Sequence, residues 1–132
     1  MEYVFKLERI ADYLHAKVSG NNDPATVSRY LKDVYDACLR ERCPRVLVEE
    51  TLEGPGLSVA EVFGVVAKAS EQVWPVVQQI AYVDTNPLHD FTKMQFAEVV
   101  ASNRGVNVRI FSSVRNAKQW LSSASDARSE RS

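Results

Sequence analysis

Three short apolar runs, Arg45 to Glu50, Gln79 to Asp84 and Val106 to Phe111, each follow a long segment whose apolar residues recur at helical spacing. No other feature limits the fold of this chain as strongly. The run Arg45-Val-Leu-Val-Glu-Glu50 is continuous rather than alternating, which predicts a central strand covered on both faces. Strands that alternate with helices must be joined by crossovers. Crossovers are right-handed and give a largely parallel sheet.

The first twenty residues depart from that rhythm. Tyr3, Phe5 and Leu7 alternate with Val4, Lys6 and Glu8, and a second extended run, Tyr13 to Val18, ends at Ser19-Gly20. This period of two predicts an antiparallel hairpin at one side of the sheet. Asp23-Pro24 then opens a helix, with Asp23 as cap and Pro24 where no amide donor is lost. Its stripe is Val27, Tyr30, Leu31, Val34, Cys38 and Leu39; Arg40 and Arg42 suit its negative end, and Pro44 stops it. Ser58 and Glu61 have the spacing of a capping box after the Gly54-Pro55-Gly56 turn. The helix they open has Val59, Val62, Phe63, Val66, Ala69 and Val73 on one side and ends near Trp74-Pro75. A third helix follows Thr85-Asn86-Pro87, with Phe91, Met94, Ala97 and Val100 or Ala101 inward, and Gly105 closes it. Ser113 caps the last helix, with Val114, Ala117, Trp120 and Leu121 inward and Trp120 as the largest core plug. The expected fold is a single α/β domain over residues 1–121. It has a mixed, mostly parallel sheet, an N-terminal β-hairpin and about four helices covering both faces or most of them. Residues 122–132 lack large apolar side chains and are expected to form a disordered tail.

At 132 residues the chain is long enough for one ordinary domain. Its 16 Lys+Arg against 17 Asp+Glu leave a net charge of -1, so no basic excess points to nucleic acid. No apolar run approaches a membrane span, and the start lacks a basic region followed by an apolar stretch, so a cytoplasmic protein is expected. Cys38 lies on a helix face and Cys43 just past its end, which points the thiols apart and predicts two free cysteines. With His15 and His89 they show no metal-ligand spacing, and neither a metal nor a cofactor is expected.

Three parts of the chain together resemble the STAS-like superfamily, the group of the bacterial anti-sigma factor antagonists. They are the opening hairpin ending in Val18-Ser19-Gly20, the Arg45-Val-Leu-Val-Glu strand with its loop and helix start, and the close Val108-Arg109-Ile110-Phe111 followed by Ala117-Lys118-Gln119-Trp120-Leu121. The resemblance covers about residues 3 to 121. In that family the loop after the third strand carries Asp-Ser-Ser-Gly, and phosphorylation of one serine switches partner binding off. The matching segment here is Gly56-Leu57-Ser58-Val59-Ala60. Only Ser58 stands in for the serine, without the aspartate or the glycine, which marks a divergent branch. The resemblance also implies that some such domains bind nucleotides or apolar small molecules.

Ser58 therefore has three readings: a helix cap, a phosphoacceptor at a helix N-terminus, or a nucleophile. For the last, Ser58, Asp84 and His89 occur in the chain order of the G-x-S-x-G hydrolases. Against it, Ser58 is too far from its strand and Ala60 replaces the final glycine. Glu49, Glu50 and Asp84 fall near the carboxyl ends of parallel strands, where ligands gather in open α/β sheets. Their plainer reading is as solvated strand ends, and that of His89 is a neutral surface histidine. Trp74 is either core or a contact surface. The expected role is a non-catalytic regulatory module that binds another protein through two loops at the same end of the sheet. Its binding residues are Gly56, Leu57, Ser58, Glu61, Asp84 and His89. The alternative is a carrier of a lipid, nucleotide or other small ligand, walled by Val62, Phe63, Val66 and Phe91. A homodimer through an edge strand or Trp74 is compatible with either.

Overall fold

Parallel pairing is realised as the alternation predicts. A computed structural model describes residues 3–10, 12–73, 77–87 and 89–131, with the side chains at 70, 72, 73 and 123–131 left aside. Along the chain come β1 (Tyr3–Ile10), β2 (Tyr13–Asn21), α1 (Pro24–Glu41), β3 (Arg45–Glu53), α2 (Val59–Val73), β4 (Gln79–Asp84), α3 (Phe91–Ser102), β5 (Val108–Phe111) and α4 (Val114–Arg131). The sheet order is β1-β2-β3-β4-β5. β1 and β2 are antiparallel and all later pairs are parallel.

This order is sequential, so the chain steps across the sheet one strand at a time in one direction. Three successive right-handed crossovers taken in one direction place α1, α2 and α3 on the same face. Only α4 covers the other. The register explains which side chains meet under each layer. Leu14, Val46, Ile80 and Val108 align across the three parallel pairs, as do Val48, Tyr82 and Ile110 one pleat further on, and then Glu50 and Asp84. Leu14, Ala16, Val18, Val46, Val48 and Leu52 pack against Val27, Tyr30, Val34, Ala37 and Cys38 of α1. On the opposite face Tyr13, Leu47, Ala81 and Val83 pack against Ala117 and Leu121 of α4.

Local signals set the helix ends. The Asp23 carboxylate accepts from the Thr26 amide at 2.9 Å and Pro24 occupies the first turn. Arg42 takes a left-handed conformation (φ 53°) that closes α1. Cys38 and Cys43 are both free and buried, and burial pushes the Cys38 thiol up to about 12.

Several inward positions differ from expectation. Leu39, Val59, Phe63 and Phe91 are exposed, whereas Ala37 and Val65 are buried. A helical stripe is broad, and the arc that meets the sheet depends on how the helix rolls, which periodicity does not determine. Phe63 lies under the Arg104 guanidinium, 5.2 Å from the ring centroid. Trp120 is only partly buried. It leans on Phe111 at 5.6 Å between centroids, with the Arg109 guanidinium over both rings, so it seals a rim rather than filling the core. The backbone of α4 runs on to Arg131. Trp74 lies outside the described residues. Among the described residues, no helix is long and apolar enough to cross a membrane.

Candidate functional site

β3 continues past its apolar run to Glu53, and its pleat sends Glu49 and Glu50 to opposite faces. Glu49 turns toward the α4 side, where its carboxylate meets the buried His15 imidazole at 2.9 Å. Glu50 turns under α1 and is 2% exposed. There its Oε2 accepts hydrogen bonds from the hydroxyls of Tyr30, on α1, and Tyr82, on β4. The two phenol oxygens lie 3.0 Å apart.

Burial is the dominant influence on Glu50 and raises its pKa to about 7, against the two phenol hydrogen bonds; Asp84 adds to the rise and His89 opposes it. Burial and then the Glu50 charge hold Tyr30 and Tyr82 well above the usual phenol range, so both remain donors.

Asp84 is the register partner of Glu50 on the neighbouring strand. Its Oδ2 meets His89 Nδ1 at 2.6 Å, and both side chains are buried. His89 Nε2 lies 2.9 Å from the Gly54 carbonyl. A ring that faces a carboxylate with one nitrogen and a carbonyl with the other needs a proton on each, which describes an imidazolium. Burial works against that cation. The hydrogen bonds to Gly54 and Asp84 outweigh it and hold the His89 pKa above its ordinary value. The side chains expected as solvated carboxylates and a surface histidine are instead buried at Glu50, Asp84 and His89. The reason is the extra length of β3 and the covering helices.

The same histidine ties the two loops together. The β3–α2 loop offers Gly54 O to His89 and Pro55 O to Asn22 Nδ2 at 3.0 Å. Across the strand ends, Asn86 Nδ2 donates to Leu52 O at 2.8 Å, and the Thr51 and Thr85 hydroxyls meet at 2.8 Å. Gly54 has a positive φ of 97°, a conformation that glycine adopts freely.

Beneath this rim a cavity of about 120 Å³ runs along the sheet under α2 and α3. Val62, Val65, Val66, Ile80, Ala97 and Ile110 are among its apolar walls. Glu50, Tyr82, Asp84, His89 and Asn22 also line it. Their order on the strands places them toward the carboxyl edge. The strand order never reverses, so there is no switch-point crevice; the cavity lies within the sandwich instead.

The residues predicted for binding divide. Gly56, Leu57, Asp84 and His89 line the cavity. Ser58 and Glu61 do not. They form the capping box, with Glu61 N donating to Ser58 Oγ at 3.1 Å and Ser58 N to Glu61 Oε1 at 2.9 Å. The hydrolase arrangement is not assembled: Asp84 and His89 pair, but the outer ring nitrogen faces Gly54 O and Ser58 caps α2. Of the expected cavity walls, Val62 and Val66 hold that place, while Phe63 and Phe91 are exposed. The sequence places Tyr30 only on the stripe of α1 and Tyr82 only within a strand, not at a site. The one available signal was the spacing of Tyr82 and Asp84, two apart and hence on one face. Glu50, Asp84 and His89 have ligand atoms within 4.8 Å of one another, near enough to gather round a cation. Both ring nitrogens of His89 already face acceptors, so a metal would have to displace one of those bonds.

No protein-family model matches the chain, and no curated protein matches it significantly. Solved structures do. An anti-sigma factor antagonist from Mycobacterium paratuberculosis is similar with a TM-score of 0.56 at 13% identity, over 89% of this chain and 92% of that one. An uncharacterized protein of the DUF3478 family with a SpoIIAA-like fold, from Shewanella loihica PV-4, gives a TM-score of 0.55 at 20% identity over 90% and 93%. The anti-sigma factor antagonist SpoIIAA in its unphosphorylated form gives 0.50 at 11% identity over 89% and 97%. The chain has this STAS-like, anti-sigma factor antagonist fold.

Proposed function

We propose that the chain is a non-catalytic regulatory module whose rim, the Gly54 to Val62 segment with the Asp84 to His89 loop, recognises a protein partner. The observation that supports it is the bond network from His89 and Asn22 to Gly54 and Pro55, which makes the two loops one preorganised surface. The names of two of the similar structures, anti-sigma factor antagonists, agree with a protein partner. A phosphate on Ser58 would remove the cap acceptor while setting negative charge at the N-terminus of α2, so Ser58 is also the proposed point of regulation.

Val59 is the variant of choice because it is 48% exposed at the start of α2. An acidic residue there suits the helix dipole. Val59→Asp should lose most of the protein that wild type captures from its host, with unchanged thermal unfolding. Equal capture by both proteins would overturn the proposal. Phosphatase treatment of the bait, with a Ser58→Ala control, reads the regulatory part.

A second reading, small-molecule binding, is favoured by the cavity. Its walls are mostly apolar and its polar groups are few and grouped, as in ligand sites generally. The two readings share Gly56, Leu57, Asp84 and His89, so an occupied cavity and a presented rim would sense each other. Native mass spectrometry of protein purified from cells tests the second reading, through an added small-molecule mass that a cavity-filling Ala69→Leu variant lacks.

A further inference from the structure

Glu50 carries a feature that neither reading requires. Its Oε2 receives both phenol hydroxyls, yet its Oε1 has no hydrogen-bond partner among the described residues, and the side chain lines the cavity. Among the described residues the one sealed side-chain polar atom without a partner is Arg45 Nη2, so Glu50 Oε1 keeps an opening through which a donor can reach it.

The charges around it narrow what that something is. On the β4 side and its following loop, the Asp84 carboxylate is matched by the His89 imidazolium. α1 supplies only the neutral Tyr30 hydroxyl. α2 contributes Val62, Val65, Val66 and Ala69 to the lining and no polar side chain. At the start of α3, Asp90 and Lys93 carry opposite charges on the same lining. The Glu50 carboxyl is the acid left without a matching charge. Burial outweighs the two phenol bonds and raises its pKa to about 7, so it is ionised in part at neutral pH, and an ammonium group beside it would complete the ionisation. We infer that the cavity takes an amphiphilic amine, with its aliphatic or aromatic body along Ile80, Ile110 and Val62 and its ammonium head on Glu50 Oε1. A charge-assisted N–H···O bond to a largely buried side chain is among the stronger single contacts available to a small ligand. A carboxylate head would meet Glu50 as a like charge, and an alcohol would form only a neutral bond.

This inference rests on the small-molecule reading of the cavity, and the test separates the two. The full chain is titrated with n-octylamine, 1-octanol and octanoate, followed by calorimetry and by the methyl resonances of Ile80 and Ile110. The expected order is amine, then alcohol, then carboxylate, with the amine on the order of tenfold tighter than the alcohol. Glu50→Gln should bring the amine down to the level of the alcohol and leave the alcohol unchanged. Alcohol or carboxylate binding as tightly as the amine would overturn the head-group inference while leaving the cavity reading intact. Failure of all three to shift those methyls would overturn both. Should the Gln variant not fold, the ranking of the three probes on wild type decides alone.

Discussion

The face of the sheet under α1 and the face under α2 and α3 are built from one sequence pattern, yet they pack differently. α1 buries Thr26, Val27, Tyr30, Val34, Ala37 and Cys38 against β2 and β3. Among the described side chains of α2 only Val62 and Val65 are buried, and α3 buries the small pair Ala97 and Ala101 with Val100. Large residues under α1 close the gap to the sheet. Valines and alanines under α2 and α3 leave it open over β4 and β5, and the large Phe63 and Phe91 sit outside. A stripe of apolar residues is thus enough to place a helix on a sheet. Side-chain volume then decides whether the space beneath becomes core or cavity.

The largest effect should come from deleting volume on the closed side. Leu14→Ala, at a site 1% exposed, should cost about 2–5 kcal/mol in denaturant unfolding. Met94→Ala, on the cavity wall, should cost roughly 1 kcal/mol, because its surroundings already lack partners. Equal costs would mean that the two halves are packed alike.

Next is the acid at the cavity's end. The Glu50 pKa is raised from 4.5 to about 7 on folding, so the folded state holds its proton more firmly than the unfolded chain does. Stability should therefore be greatest below about pH 4.5 as far as this group is concerned, fall as pH rises, and level off above about pH 7. Glu50→Gln should flatten most of that slope and stabilise the protein near pH 8 by roughly 2–3 kcal/mol. The slope that remains belongs to His89. Its pKa is also raised, so its contribution is complete below the ordinary histidine value and is lost as pH passes the folded one. Chemical denaturation across pH reads both; an unchanged slope in the Gln variant would remove Glu50 from the account.

The capping box ranks third. Ser58→Ala and Glu61→Ala should each cost about 1 kcal/mol, and the double variant less than their sum, since each residue bonds the other's amide. Truncation after Ser122 should matter least. If the domain lies within residues 1–121, as the sequence predicts, thermal unfolding should stay within about 0.5 kcal/mol of the full chain. A larger loss would extend the domain along α4.

The sequence spoke most clearly where the cause is local. Asp23 with Pro24, and Ser58 with Glu61, announce helix starts because the groups that satisfy the amides lie within three residues. The hairpin and the parallel strands follow from period and order. The site was less legible because it depends on register. Nothing near Glu50 in the chain says that Tyr82 and Asp84 stand beside it, or that Tyr30 reaches over it from α1. Its Glu-Glu pair reads as a polar strand end, and only the extension of β3 to Glu53 turns that end into an interior. Phe63 and Phe91 misled for another reason: they fall on the helical stripe, but the roll of each helix gave the inward arc to smaller neighbours.

The bond from His89 to the Gly54 carbonyl has one more consequence. It joins the entrance of α3 to the entrance of α2 without passing through the sheet. Local opening of either loop must break it, so the amides of both segments should exchange with solvent as one cooperative unit. The protonation of a single imidazole would then govern the lifetime of the whole upper edge.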